Sequence, residues 1–232
     1  MVSPHHTIPT ISMIGGGRPI QPGEISRAHN GILFLDEFLE YSSLVKEALR
    51  EPIEKGMITV CRGGERKCWP ADFILVATSN LCPCGDLVPN KISHCRFSLT
   101  KCRSYTERLS GPLMDRFDVL AFTQDWNRQG GIEQEQVYAK ISEVREFIKT
   151  SRGQDYPNRK MSVEEVEASI EPFVFKKCMP ELRGSRRRYK ALVQVARSLA
   201  DLDQSEQIKG AHIQASMFYT NLPFDQMKKI FA

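Results

Sequence analysis

The sequence contains no phosphate-binding loop of the usual kind. That loop reads GxxxxGK followed by Ser or Thr, because the lysine reaches the β- and γ-phosphates of a nucleotide and the hydroxyl ligates Mg²⁺. No Gly-Lys-Ser or Gly-Lys-Thr occurs in the 232 residues, and the glycine run at 15–17 is followed by Arg18 and Pro19. These residues therefore supply no lysine cradle for the phosphates of a nucleotide.

Long apolar runs are also missing. No run approaches the ~18 residues of a membrane span, and the first residues, MVSPHHTIPT, have neither the basic start nor the apolar core of a secretion signal. We expect no membrane partner and a cytoplasmic protein, whose seven cysteines are thiols or metal ligands. The net charge of +4 permits a nucleic-acid partner but does not argue for one.

A short apolar run ends in two carboxylates at Gly31–Phe38, GILFLDEF. Such a run fits a strand buried on both faces of a parallel sheet, although periodicity alone does not exclude a buried helix segment. Asp36 and Glu37 would then lie at the carboxyl end of the strand, where α/β proteins bind ligands. This is the Walker B pattern, in which the first acid holds Mg²⁺ and the second takes a proton from the attacking water. The alternative is that the acids only cap the next helix.

A second apolar run, Phe73–Thr78, predicts another buried strand. It delivers Ser79 and Asn80 to its carboxyl end, where an amide can hold the attacking water from the side opposite Mg²⁺. Asn80 by itself is equally consistent with a turn. Beside the strand that carries Asp36, it becomes a candidate sensor residue.

The next motif is a β-hairpin with basic side chains. Met57–Arg62 predicts a strand, Gly63-Gly64 a tight turn, and Arg66–Trp69 a return strand. Its tip and arms carry three basic residues, Arg62, Arg66 and Lys67. On charge alone we interpret this as a solvated hairpin.

Cysteines cluster after the second strand, at Cys82, Cys84, Cys95 and Cys102, with His94 among them. Thiolates one residue apart, with further Cys or His residues downstream, could build a tetrahedral zinc site. The spacing is looser than two CxxC pairs. The alternative is a set of reduced surface cysteines.

Two arginine motifs leave two interpretations each. Arg116, in LSGPLMDRFD, could form a structural ion pair or be offered to the phosphate of a neighbouring subunit. The Arg186–Arg188 cluster precedes a predicted helix that Ser185 would cap. Positive charge at a helix start opposes the helix dipole, so the cluster indicates an anion site or a solvated basic turn.

The pattern as a whole predicts an α/β region over residues 1 to about 125 and a helical domain over residues 132–232. Within the latter, amphipathic periodicity predicts helices at Ile132–Thr150, around Leu192–Leu202 and at Ile208–Tyr219.

Four smaller predictions complete the picture. The segment 1–30 is expected to form loops with a short helix. His5 and His6 could be metal ligands, but two terminal histidines with no partner are more often solvated polar residues. Val119–Thr123 is predicted as a further strand. The pair Ser42-Ser43 is expected to supply the N-cap of a helix that ends near Pro52.

Eight segments, in this order, resemble the magnesium-chelatase-like branch of the AAA+ ATPases and, within it, the ComM (YifB) family. The segments are PHHTI (4–8), IGGG (14–17), PGEIS (22–26), AHNGILFLDE (28–37), ALREPIEKG (48–56), CPCG (82–85), LSGPLMDRFD (109–118) and VARSLADL (195–202). They span almost the whole chain, and the combination is specific. The resemblance implies a partial P-loop ATPase core followed by an all-helical lid, which uses ATP and Mg²⁺.

The same resemblance implies a role for each candidate residue. Asp36 and Glu37 would be Walker B, Asn80 sensor 1, Arg116 the arginine finger acting on a neighbour's nucleotide, and Arg187 sensor 2. The hairpin would be the pre-sensor hairpin, and the segment 1–30 the insertion within helix 2. Members of the family form hexameric rings, and ComM-type proteins are DNA helicases that promote branch migration in transformation. Arg62, Arg66 and Lys67 would then track a phosphate backbone.

Three departures from the family pattern qualify these expectations. The Walker A loop and the N-terminal Lon-protease-like domain are absent, and Phe97 replaces the last cysteine of CPCG…CxC, which leaves Cys102 or His94 as its substitute. The missing first strand should leave a gap in the sheet. We therefore expect a truncated or excised half-motor that is inactive alone. The alternatives are a zinc-stabilised DNA-binding fragment without a catalytic role, or an unfolded remnant.

Overall fold

The computed structural model describes residues 1–87, 95–108, 111–122, 133–182, 185–223 and 225–226. The chain divides into two compact units, Met1–Arg116 and Phe117–Ile230. The first is mixed α/β and the second is helical.

Within its described residues, the first unit contains six short strands and six short helices. The strands are β1 (Gly15–Gly16), β2 (Gln21–Pro22), β3 (Ile32–Leu35), β4 (Met57–Arg62), β5 (Glu65–Pro70) and β6 (Ile74–Ala77). The helices are α1 (Thr10–Ile14), α2 (Glu24–Arg27), α3 (Ser43–Ala48), α4 (Arg50–Lys55), α5 (Leu99–Thr106) and α6 (Gly111–Met114), and a 3₁₀ turn spans Phe38–Glu40. The segment that precedes β3 thus contains two short helices and a small antiparallel strand pair.

The two predicted apolar strands pair in parallel. The β3–β6 register matches Ile32 with Ile74 and Leu35 with Ala77. Val2 forms a parallel bridge to Leu33 on the other side of β3. Within the described ranges, β6 has a strand neighbour only on the β3 side.

Burial of the strand pair differs from the prediction. Leu33 and Leu35 are fully buried, but Ile32 is 36% exposed and Ile74 52% exposed. Successive residues of a strand point to opposite faces, so one face of the pair is packed and the other is open. The expectation of burial on both faces was wrong, because among the described residues only one face is covered.

The hairpin and the helix cap follow the prediction. β4 and β5 pair antiparallel, and Gly63 and Gly64 have φ of 57° and 83°, the positive values that a type I′ turn requires at both central positions. Ser42 accepts a hydrogen bond from the Val45 N–H at the start of α3. The helix does not continue to Pro52, however. α3 ends at Ala48 and α4 runs through Pro52, which lies in its first turn, where a missing N–H leaves no intrahelical bond unmade.

The part of the second unit that the structure describes contains five helices and a 3₁₀ turn at Asn158–Lys160. The helices are α7 (Gln134–Arg152), α8 (Val163–Glu167), α9 (Pro172–Leu182), α10 (Arg186–Leu202) and α11 (Gly210–Thr220). α10 supplies Val193, Ala196 and Ala200 to a core that also contains Val166 and Ile208. The predicted helices are present. The apolar stripe of α7 is not buried within the described part of the chain, since Val137 and Ile141 are 41% and 40% exposed.

The strand predicted at Val119–Thr123 is not formed over its described residues, 119–122. Thr123 lies outside the described residues. The Leu120 N–H donates to the Tyr219 carbonyl in α11 at 3.0 Å. A strand needs a neighbouring strand to take up its N–H and C=O groups, and here a helix supplies the one bond.

Buried charge organises the end of α10. Arg197, fully buried, lies 3.0 Å from Asp201, which is 2.9 Å from Arg152 of α7. The guanidinium of Arg197 also donates to the carbonyls of Ser205 and Glu206. The guanidinium N–H groups of Arg197 thus donate to main-chain carbonyls and to a carboxylate, the partners that a buried charge requires.

Candidate functional site

Asp36 and Glu37, the predicted Walker B carboxylates, lie directly after β3 and are exposed. One oxygen of Asp36 accepts hydrogen bonds from the Glu37 N–H, at 3.1 Å, and from the Thr78 hydroxyl. Glu37 has φ of 51°, a left-handed conformation uncommon for a residue other than glycine. The strand end therefore fixes Asp36 and turns the chain sharply at Glu37.

Glu37 has a partner that sequence reasoning missed. Nδ1 of His6 lies 3.1 Å from Oε2 of Glu37. The Val2–Leu33 bridge brings the N-terminal segment to β3, and the Tyr41 hydroxyl donates to the Pro4 carbonyl. The expectation that His6 is without a partner was wrong, because the contact joins two segments that are distant in sequence. The one signal available was the PHHTI motif.

Tyr41 is suited to hold this segment as a donor. Burial, and then the charge of Asp36, raises the pKa of the Tyr41 hydroxyl above its usual range. The hydroxyl therefore keeps its proton at neutral pH and donates to the Pro4 carbonyl.

Asn80 follows β6 at the same edge of the sheet. Beyond the strands, the pairing continues through Thr78 N–H to the Leu35 carbonyl, at 3.1 Å, and Phe38 N–H to the Thr78 carbonyl, at 2.8 Å. Since parallel strands end at one edge, the segment carrying Asn80 leaves the sheet beside the carboxylates. Thr78, the residue that contacts Asp36, was overlooked as a site residue although it ends the predicted strand.

Arg116 takes part in an ion pair within its own chain. Its Nη2 lies 2.6 Å from Oε1 of Glu54 in α4, and its Nη1 donates to the Pro112 carbonyl. The side chain is 8% exposed, and its buried Nε has no hydrogen-bond partner among the described residues. The partner is neither flanking acid. Within the single chain Arg116 therefore forms a structural ion pair, which is one of the two interpretations of its motif. Its role as an arginine finger stays a prediction.

Arg187 lies in the first turn of α10 with an exposed side chain. Its neighbour Arg188 instead donates to the carbonyls of Phe117, at 2.6 Å, and Thr220, at 3.3 Å. Ser185 occupies the N-cap position, but its side chain makes no capping bond, so that detail was wrong. Its carbonyl instead accepts the Tyr189 N–H at 2.8 Å, as the first bond of the helix requires.

The hairpin separates its basic residues by face. Val60 pairs with Lys67 and Arg62 with Glu65, so Arg62 and Lys67 share one face, whereas Arg66 points to the other. All three basic side chains are exposed. Arg18 adds a fourth basic side chain near the turn. Its Nη2 lies 3.9 Å from the position that a Cβ on Gly63 would occupy. Sequence spacing gave no indication that Arg18 reaches the tip.

The four candidate zinc ligands come together. The sulfur of Cys84 lies 3.2 Å from that of Cys82 and 3.6 Å from that of Cys95, which is 3.2 Å from that of Cys102. Burial raises the pKa of the Cys82 thiol, while main-chain N–H groups of Asp86 and Arg96 lower that of Cys84. The alternative ligand, His94, lies outside the described residues.

Two family models match the chain. The one described as magnesium chelatase, subunit ChlI, covers residues 1–130, and the one described as magnesium chelatase, subunit ChlI C-terminal, covers residues 131–220. These matches and the mixed α/β fold with its parallel strand pair define the class: a magnesium-chelatase-like AAA+ protein.

Individual relatives narrow the class. Competence protein ComM of Haemophilus influenzae is 34% identical over 230 residues, which are 94% of this chain and 44% of that protein. YifB of Escherichia coli is 35% identical with the same coverage. The magnesium-chelatase 67 kDa subunit of Chlorobaculum tepidum is 33% identical over 67 residues, 29% of this chain and 11% of that one.

The chain belongs to the ComM/YifB family of magnesium-chelatase-like proteins, which confirms the resemblance. It spans about half the length of ComM and YifB, 44% in each case. Within the described residues, no helix has both the length and the apolar character that crossing a membrane demands.

Proposed function

We propose that this chain forms part of an ATP-dependent AAA+ motor that acts on DNA in the cytoplasm. The observation that carries the proposal is the edge of the β3–β6 pair, where Asp36, Glu37 and Thr78 meet and from which Asn80 departs. Residues 1–125 supply part of the ATPase core and residues 132–232 its helical lid.

The donor set at this edge suits Mg²⁺ and a triphosphate. Exposed carboxylate and hydroxyl oxygens are the ligands that Mg²⁺ prefers, with water in the remaining positions. Bound Mg²⁺ would neutralise charge that develops on the phosphates during transfer. Asp36 would hold the ion, and the Thr78 hydroxyl orients the carboxylate for that role.

Glu37 is the proposed general base. Its carboxylate accepts the proton of the attacking water, and Asn80 positions that water from the other strand. His6, 3.1 Å from Glu37, holds the base in one orientation between turnovers. Each of these groups acts on a proton or on the water, not on the nucleotide itself.

Arg116 and Arg187 would complete the site in a homo-oligomeric ring, the hexamer of the family. Arg116 would leave Glu54 to reach the γ-phosphate of a neighbour's nucleotide, and Arg187 would bind phosphate from the start of α10. A guanidinium with a buried, unbonded Nε has less to lose on such a move than one whose donors are all satisfied.

DNA would bind at the tip of the β4–β5 hairpin. Arg62 and Lys67 share one face, with Trp69 further along the same face, and Arg66 and Arg18 extend the positive surface. Basic and aromatic side chains in this arrangement bind the backbone and bases of a nucleic-acid strand. DNA branch migration is the proposed work of the motor.

Nucleotide binding tests the proposal. The 232 residues contain no Walker A lysine, so a fluorescent ATP analogue with Mg²⁺ should bind this chain weakly or not at all. It should bind a chimaera that carries the Walker A segment of ComM, and Asp36→Asn should weaken that binding. A chimaera that is folded by circular dichroism yet binds no analogue would contradict the proposed site.

A second candidate function is a zinc-stabilised DNA-binding module without catalysis. It is favoured by the convergent cysteines and the exposed basic hairpin. DNA binding by the unmodified chain, with no gain of ATPase activity in the chimaera, would select this function. A chimaera that binds DNA and releases it while hydrolysing ATP would instead support the motor function.

A further inference from the structure

Four cysteine sulfur atoms converge beside the loop that carries Asn80. Three of them, on Cys82, Cys95 and Cys102, lie within 4.8 Å of one another, and the fourth, on Cys84, contacts two of these. None is in a disulfide. Cys82 and Cys102 are fully buried, whereas Cys84 and Cys95 are partly exposed, so half of the cluster belongs to the interior.

The spacing of the Cys82, Cys95 and Cys102 sulfurs fits three ligands of one tetrahedral ion, and the Cys84 sulfur contacts two of these three. Zinc–sulfur bonds of about 2.3 Å place the sulfurs of a tetrahedron about 3.8 Å apart, and three contacts in the cluster are 3.2, 3.6 and 3.2 Å. An iron–sulfur cluster binds its thiolates on different iron atoms and holds them farther apart. A single soft-ligand ion is therefore the better match.

Main-chain N–H groups surround the sulfurs. The donors are Leu87 for Cys82, Asp86 and Arg96 for Cys84, and Phe97 for Cys95. Such N–H contacts orient the ligands of a metal site.

We propose that Cys82, Cys84, Cys95 and Cys102 bind one structural Zn²⁺, which fixes the loop carrying Asn80 to helix α5. Four protein thiolates close the coordination sphere and leave no position for substrate. The site is structural for that reason. Cys102 is the fourth ligand. In the family spacing that ligand would be a cysteine at position 97, where this chain has Phe97.

The ion would join two parts of the candidate ATPase site. On one side, Gly85 closes the turn after Cys84 with φ of 81°, and a Cβ there would stand 3.8 Å from the Asn80 carboxamide. The turn thus packs against Asn80 and limits where its side chain can go.

On the other side, Cys102 belongs to α5. Tyr105 bonds Glu40, and Arg108, just after the helix, donates to Glu40 at 3.3 Å. Glu40 ends the 3₁₀ turn that follows Glu37. Zinc would therefore tie the Asn80 loop to the segment behind the carboxylates. The zinc site itself is independent of the proposed ATPase function, and only this consequence rests on it.

Metal analysis of the reduced chain, purified without chelator, tests the site. We expect about one zinc per chain by mass spectrometry, and almost none in Cys82→Ser/Cys102→Ser. The matched control is Cys61→Ser/Cys68→Ser, which changes two exposed cysteines of the hairpin and should keep the zinc. A folded chain with no zinc, or with iron and a visible chromophore, would overturn the proposal.

Cobalt substitution keeps the test independent of variants that fail to fold. Co²⁺ in the unmodified chain should give the intense charge-transfer bands of four thiolates. Cys102→Ser should weaken them, whereas His94→Ala should not. The reverse pattern would remove Cys102 as the fourth ligand and overturn the assignment.

Hydrogen exchange tests the structural role without any readout of activity. Chelation of zinc should speed exchange at residues 79–87 and in α5, and leave the β4–β5 hairpin unchanged. Unchanged exchange at 79–87 in the zinc-free chain would refute the link to Asn80, even if ATP binding failed for other reasons.

Discussion

Two regions of the molecule, the edge of the β3–β6 pair and the end of α10, use charge in opposite ways. At the edge of the β3–β6 pair, Asp36 and Glu37 are exposed, and Glu37 holds a left-handed backbone conformation. At the end of α10, Arg197 and Asp201 are buried, with ion-pair and carbonyl partners on several segments. Removing a buried partner costs stability, whereas an exposed strained acid costs little to remove and is free to meet a ligand. Burial thus separates the structural charges from the candidate functional charges.

The largest expected effect is on the buried side. Asp201→Ala leaves two guanidinium groups, those of Arg152 and Arg197, without the carboxylate they share. We expect a loss of about 3–5 kcal/mol in the free energy of unfolding. Urea unfolding followed by circular dichroism measures it. The control Asp203→Ala removes an acid that is 70% exposed, and a comparable loss there would break the comparison.

On the exposed side, activity should change and stability should not. In the chimaera that carries a Walker A segment, Glu37→Gln should lower ATP hydrolysis by about 10²–10⁴-fold, the usual contribution of a general base. Its unfolding free energy should stay within about 0.5 kcal/mol of the parent. Glu143→Gln, an exposed acid of α7, is the control. Hydrolysis at the parental rate would rule out Glu37 as the base.

The His6–Glu37 contact predicts a smaller effect on hydrolysis. His6→Ala should lower hydrolysis roughly tenfold, since a hydrogen bond to a charged group contributes about 1.5–3 kcal/mol. Analogue binding should be unchanged, because His6 orients the base and not the nucleotide. His5→Ala is the matched control, as His5 contacts Thr7 instead. Equal effects of the two changes would show that His6 has no particular role.

DNA binding tests the exposed charges of the hairpin. Arg62→Ala/Lys67→Ala should make the plot of log affinity against log salt shallower by about 2, one unit for each lost phosphate contact. Lys140→Ala/Arg145→Ala, on exposed α7, should leave the slope unchanged. Arg66→Ala distinguishes the two faces, with a slope change of about 1 or less. A slope unaffected by the double change would exclude the hairpin as the binding surface.

The smallest expected effect concerns Ser42, the N-cap of α3. Ser42→Ala removes the acceptor of the Val45 N–H and should cost about 1 kcal/mol of unfolding free energy. Ser43→Ala, one residue on, should cost less because Ser43 is not the cap. Thermal unfolding of the two variants side by side gives the difference, and the reverse order would contradict the cap.

Local patterns carried much of the prediction. The apolar run before Asp36, the glycine pair of the hairpin and the periodicity of α10 each predict an element that the structure contains, because each depends on near neighbours in sequence. The strand predicted near Val119 failed for the opposite reason. An apolar run becomes a strand only where another strand accepts its hydrogen bonds, and that partner is not a property of the run.

Motifs and periodicity are local, and they predict the family, the position of the acidic pair Asp36-Glu37 after a strand, and the cysteine spacing. Only the tertiary structure decided which distant groups meet: His6 with Glu37, Arg116 with Glu54, Arg18 with the hairpin tip, and Cys102 with Cys82 and Cys95. Chain topology, not local pattern, brings such groups together. The pairing of β3 with β6 and the bridge from Val2 bring His6, Glu37 and Thr78 to one edge, where their chemistry can combine.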